Sequence, residues 1–327
     1  SVAVTAPQIT IANGAQIAGT TAGTGAGGTV AVTTAGALLL DGNGTSGTGI
    51  AASATGRQSG AGGDVMVRAG SLTIRGGAQI ASSTAGSGSG GKVEIAVASD
   101  IVLPDPGPQV TARSTGSGDA GSVSLSAVRL LMNNGAAIST EALASTANGG
   151  NISLSVRDFL FLTNSEITTS VKGETGNGGN IAIDPQFVVL NHSSIVAQAV
   201  AGHGGNISID ADHFIASADS IVSASSQLGI SGTVVINGPL VDLNGTLVVL
   251  SSELRSAVAL TRDSCSARGN GPRSSLVEAG RGGLPQDPEA TLPALYFAGR
   301  DLKPGPRRTA AAVSAPPTRV QLALRCG

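Results

Sequence analysis

A unit of roughly thirty residues recurs about eight times between Gln8 and Pro239. Its clearest piece is Gly-x-Val/Ile, at Gly28-Thr29-Val30, Gly63-Asp64-Val65, Gly91-Lys92-Val93, Gly121-Ser122-Val123, Gly150-Asn151-Ile152, Gly179-Asn180-Ile181, Gly205-Asn206-Ile207 and Gly232-Thr233-Val234. The steps between these glycines are 35, 28, 30, 29, 29, 26 and 27 residues. A repeat in this range specifies a solenoid or another array in which each unit buries its apolar face only against its neighbours.

Within each unit the apolar period is two. Val93/Ile95, Val123/Leu125, Ile152/Leu154, Ile181/Ile183, Ile207/Ile209 and Val234/Ile236 alternate with small or polar residues. That alternation, in β-branched side chains, describes short half-buried strands. Helical repeats would need longer amphipathic stretches, and here charged residues make up only 12% of the chain while glycine takes 48 of 327 positions. The expected fold is all-β, a right-handed parallel β-helix of about eight coils over residues 1–250, with three strands per coil. An irregular Pro/Gly-rich extension over 251–327 follows it.

The first strand of each unit is expected to point Ile9/Ile11, Leu38/Leu40, Leu72/Ile74, Ile101/Leu103, Leu130/Met132, Phe159/Phe161 and Phe187/Val189 inward. The second is centred on Ile17, Ile50, Ile80, Val110, Ile138, Ile167, Ile195 and Ile221, and the third is the Gly-Gly strand. The glycine pairs are expected to supply positive φ at a corner. Asn151, Asn180 and Asn206 hold one place in successive units. They read as an asparagine ladder with amides bonded along the axis, or equally as a simple turn preference.

Tryptophan is absent and tyrosine occurs once, so the core must be thin and aliphatic. A net charge of −2 argues against a nucleic-acid partner. The chain starts at Ser1 inside strand-like sequence, with no signal peptide and no apolar run of membrane-spanning length. It is therefore expected to be the C-terminal portion of a longer chain, or a processed form.

Composition shifts near residue 250. Residues 1–252 hold 8 basic and 15 acidic residues, and residues 253–327 hold 11 and 6, so the two parts carry −7 and +5. Asn244-Gly245 reads as the turn of the last strand-like piece, which closes the rod, and the stretch from Ser251 to Cys265 is expected to begin with a short helix. Cys265 and Cys326, the only cysteines, either pair or remain free thiols. A bridge would close a loop of about sixty residues and contribute about 4 kcal/mol in the loop-entropy account.

Catalytic signals are sparse. His192, His203 and His213 have no partner at metal-ligand spacing, so neither a metal nor a cofactor is expected. Glycosidase chemistry needs two carboxylates across one bond, but acidic residues drift among positions along the repeats. Asp100, Asp158 and Asp212 recur just before the first strand, with Arg129 in that place between them, and read as turn formers.

The repeats and tail together resemble the filamentous haemagglutinin-like exoproteins of bacterial two-partner secretion. In the repeats the resemblance rests on Asn-Gly-Ala-x-Ile (Asn13 to Ile17, Asn134 to Ile138) and on Gly-Gly-Asn-Ile (Gly149 to Ile152, Gly178 to Ile181, Gly204 to Ile207). In the tail it rests on Cys265-Ser-Ala-Arg268 and on the run from Ser274 to Pro285. The resemblance implies a rod on the outer-membrane surface or released outside the cell. Its export would run through a partner outer-membrane β-barrel transporter, with coil-by-coil folding outside. It also implies adhesion, cell contact or biofilm formation, through glycans or proteins on host or bacterial surfaces. Cys265 and Cys326 would then close a loop that holds the C-terminal end in the transporter. Two other readings stay open: a β-helix enzyme or binder acting on polysaccharides, and a subunit of a filament that self-associates through exposed strand edges.

Overall fold

The computed structural model describes residues 1–104, 107–238 and 240–241. They are a parallel β-solenoid, and all fall in the first of the two units into which the chain divides, Ser1–Val248. The turn expected at Asn244-Gly245, the short helix expected to begin the stretch from Ser251 to Cys265, and both cysteines lie outside the described residues.

A coil is counted here as a Gly-Gly strand with the first and second strands that follow it. Coil one is Val2–Ala6, Ile9–Ala12 and Gln16–Ala18; coil eight is Ile207–Asp210, His213–Ala216 and Ile221–Ser223. A ninth begins with Val234–Asn237 and Leu240–Val241. Every strand pairing is parallel, each strand with its counterparts one coil before and after. The second strands form an eight-stranded sheet, and the Gly-Gly and first strands share one of sixteen. That merger occurs at Val123–Asn133 and Ile152–Thr163, where the chain runs from one face to the next through a bulge between Ala127 and Arg129.

The interior is a set of aliphatic columns. Ile50, Ile80, Val110, Ile138, Ile167 and Ile195 stack on the second face, and Val65, Val93, Val123, Ile152, Ile181 and Ile207 on the Gly-Gly face, all fully buried. Each coil thus completes the apolar surface of the one before, and the core lengthens with every repeat.

Three strands differ from the sequence expectation, each by one residue. On the first face the inward residues of coils six and seven are Leu160/Leu162 and Val188/Leu190, in register with Leu130/Met132. Phe159, Phe161, Phe187 and Val189 face outward, half-buried. On the second face of coil eight Val222, not Ile221, pairs with Ile195, and Ile221 is 55% exposed. In all three places apolar residues are adjacent, so the local pattern does not choose a face; pairing with the preceding coil does.

The Gly-Gly corner also works differently from the expectation. Positive φ is not found in those pairs and clusters instead at the corner after the first strand, as at Asn13-Gly14, Asn43-Gly44, Gly76-Gly77, Gly107, Asn134-Gly135, Asn164 and His192. The pairs are glycine because successive coils nearly touch there. A Cβ on Gly150, Gly179 or Gly205 would lie within 2 Å of the carbonyl oxygen one coil earlier. Inside this corner the hydroxyls of Ser82, Thr140 and Thr169 donate to the carbonyls of Gly63, Gly150 and Gly179 at 2.7–2.9 Å, which satisfies polar groups that the core would otherwise strand.

Candidate functional site

The Asn row sits just outside the Gly-Gly corner. Asn151 Oδ1 accepts the backbone N–H of Asn180, Asn180 Oδ1 that of Asn206, and Asn206 Oδ1 that of Thr233, at 2.8–2.9 Å. The ladder is therefore side chain to backbone, not amide to amide. Asp64 does the same for Lys92 at 2.8 Å.

A second ladder three residues upstream was missed in the sequence. Asp119 accepts from Asn148 N–H, Asn148 from Asn177, and Asn177 from His203, at 2.7–3.0 Å. The signal was present in Asn-Gly-Gly-Asn at Asn148 and Asn177 and in His203-Gly-Gly-Asn206. Both ladders complete backbone hydrogen bonding at a corner where the strands have ended. Asn180→Ala is expected to cost about 1 kcal/mol in urea unfolding. Asn180→Asp should retain most of that, because Asp64 and Asp119 already perform the same acceptance.

Several charged side chains pair between neighbouring coils. Arg75 donates to Asp41, Arg129 to Asp100, and both Arg113 and Lys172 to Glu141, at 2.5–2.8 Å. The Arg75 guanidinium holds the Asp41 carboxyl below its ordinary value, and Lys92 does so for Glu94. Asp100 raises Arg129 in return. Register places Asp100 and Arg129 in one column with Phe159, so Asp158 and Asp212 fall one position out of the row expected for them.

The histidines lie apart. His203 belongs to the second ladder through its backbone. His192 occupies the left-handed corner with φ of 50°, its Nε2 3.0 Å from Asp219 Oδ2 and its Nδ1 2.7 Å from Asn191 Oδ1. Ser217 donates to Asp219 at 2.6 Å and holds that carboxyl below its ordinary value, with His192 adding to the effect. The Ser217 hydroxyl is bound to Asp219 and Ser220 rather than to the imidazole, so the trio lacks the nucleophile-to-base hydrogen bond that acyl transfer requires. Among the described residues no group of three or more His, Cys, Asp or Glu is placed to hold a metal ion. Asp41, Glu94 and Asp219 move in the direction opposite to that of a general acid.

The outer surfaces differ by face. The second face bears a shallow polar trough of about 440 Å³, floored by Ala51, Ala81, Ser53 and Ser83 and ended by Arg113 and Glu141. The first face carries a largely apolar column on its outside as well as an apolar inside. Leu39, Thr73, Val102, Leu131, Phe161, Val189 and Ile215 form one outward column through coils two to eight, all half-buried. Beside it runs Asp100, Arg129, Phe159, Phe187, His213. The Phe159 and Phe187 rings stack with centroids 5.3 Å apart, and Phe187 and His213 at 4.9 Å. Because these rings spend their faces on one another, the inner ring of the stack, Phe187, presents edges to solvent and offers no platform to a sugar ring. No helix among the described residues is long and apolar enough to cross a membrane. Comparison of the chain with protein-family models, with curated proteins and with solved structures finds no match to any of them.

Proposed function

We propose that this chain is a structural and adhesive rod displayed outside the cell, belonging to the haemagglutinin-like exoproteins that its repeats and tail resemble. The observation that carries the reading is the solenoid itself, in which contacts between neighbouring coils extend one aliphatic core through about eight turns. Such a construction needs no partner domain to hold its length and offers long, regular outer faces for contact. It also suits export as an unfolded chain, since folding can propagate from coil to coil.

The function is attachment or cell contact, without catalysis. The salt bridges that occupy Asp41, Asp100 and Glu141 and a trough without aromatic lining support this over a polysaccharide-cleaving enzyme. The test is surface accessibility. Antibodies raised against this chain should label intact cells of the source organism, and external protease should remove the signal. Protein found only in the cytosolic fraction would sink the reading and reopen the enzyme alternative.

A further inference from the structure

We infer that the outer surface of the first face pairs with the same surface of a second copy, with the two rods antiparallel. This rests on the proposed role as a contact-making rod and supplies its partner: another copy of the chain, on the same or an opposing surface.

Three observations lead there. First, apolar side chains line this sheet on both sides, with Leu160 and Leu162 inward and Phe161 and Phe159 outward. Parallel sheets of that composition are covered on both faces. On the second face, by contrast, the corresponding outward column through coils two to six is Ala51, Ala81, Thr111, Ser139 and Thr168.

Second, the outward column repeats once per coil, at the strand spacing of about 4.8 Å. A partner must match that spacing to meet every coil, and an identical rod matches it by construction.

Third, the face is self-complementary when reversed. A two-fold axis through coil six sets Phe161 against its own copy, Leu131 against Val189 and Val102 against Ile215. In the neighbouring column it sets Asp100 opposite His213 and Arg129 opposite Phe187. The guanidinium then meets a ring and the carboxylate meets an imidazole, so no like charges oppose. A parallel pairing would instead place this column opposite the other flank, Asn133, Thr163 and Asn191, and lose these matches.

Five coils of this face, at ~4.8 Å per coil and about 17 Å of strand, cover roughly 400 Å² per copy. Two such faces bury on the order of 800 Å², the size of a weak and transient contact. One pair is therefore labile, and many pairs between two surfaces bearing these rods add by avidity.

The test uses the full chain. Sedimentation velocity should show a monomer–dimer equilibrium that shifts toward dimer with rising concentration between ~10 µM and ~1 mM. Leu131→Lys and Val189→Lys should each weaken it at least about tenfold, since a lysine would be held in an apolar contact. Thr168→Lys, on the second face, should leave it unchanged. Circular dichroism should show all three variants folded, because these side chains point away from the core. Orientation follows from two chains carrying Val102→Cys and Ile215→Cys, each with Cys265→Ser and Cys326→Ser. A short bismaleimide should link the first chain to the second and neither to itself. A strict monomer at ~1 mM, equal weakening by Thr168→Lys, or homotypic links alone would overturn the pairing. A monomer that still labels intact cells would overturn the pairing and leave the surface reading standing.

Discussion

Gly179→Ala should destabilise the solenoid by more than about 3 kcal/mol, whereas alanine at a glycine with compatible backbone angles and free space stabilises by about 0.4–1 kcal/mol. The added Cβ would lie 1.9 Å from the carbonyl oxygen of Gly150 and 2.5 Å from its carbonyl carbon. Both are backbone atoms, so no side chain can swing aside. The coils must separate locally, which strains the hydrogen bonds Ile152 N–H to Asn180 O and Asn180 N–H to Asn151 Oδ1, and the Thr169 hydroxyl bond to Gly179. Because each coil is held only by its neighbours, a break at coil seven uncouples the array instead of being shared across it. Urea unfolding should change from one transition to two, or lose midpoint sharply. Gly135→Ala is the comparison. Gly135 has φ of 85° but nothing within 4 Å of its would-be Cβ, so it should cost about 1 kcal/mol, from backbone strain alone. Equal costs at the two sites would show that close approach is not what selects glycine in the pairs.

That contrast also marks what the sequence could reveal. The repeat, the period of two and the scarcity of aromatic residues led directly to a parallel solenoid of about eight coils. These features are written several times over, and repetition averages out local ambiguity. What was not legible was written once or depended on a neighbour. The reason for Gly-Gly is a distance between coils, which no single repeat contains. The outward column from Leu39 to Ile215 was hidden because strands carrying apolar residues on both sides give no alternation to read. The second ladder, Asp119, Asn148, Asn177 and His203, mixes three residue types that share only a carbonyl-like acceptor or a place in the turn. The carboxylates that suggested a row at Asp100, Asp158 and Asp212 were displaced by the same one-residue shift that turned the phenylalanines outward.

Leu160→Lys and Phe161→Lys put that shift to the test. The two positions are adjacent and the aromatic one is the larger apolar residue, so size alone assigns Phe161 to the core. The register assigns Leu160: it pairs with Leu130 and Val188 and is fully buried, while Phe161 lies outward and half-buried between Leu131 and Val189. Counting four residues back from the corner residues Asn134, Asn164 and His192 selects Leu130, Leu160 and Val188, so the corner fixes which side chain turns in. A lysine at 160 would place an ammonium in a dry aliphatic column with no carboxylate to meet it, at a cost of more than about 4 kcal/mol. Leu160→Ala, which only removes packing, should cost about 2–5 kcal/mol. A lysine at 161 can extend its stem over Leu131 and lift its charge into water, so it should cost about 1 kcal/mol or less. Limited proteolysis and thermal unfolding of the two lysine variants should therefore differ widely, with cleavage in coils five to seven for Leu160→Lys and a near-native pattern for Phe161→Lys. The reverse order would place Phe159 and Phe161 inside the rod and remove the apolar outer face on which antiparallel pairing depends.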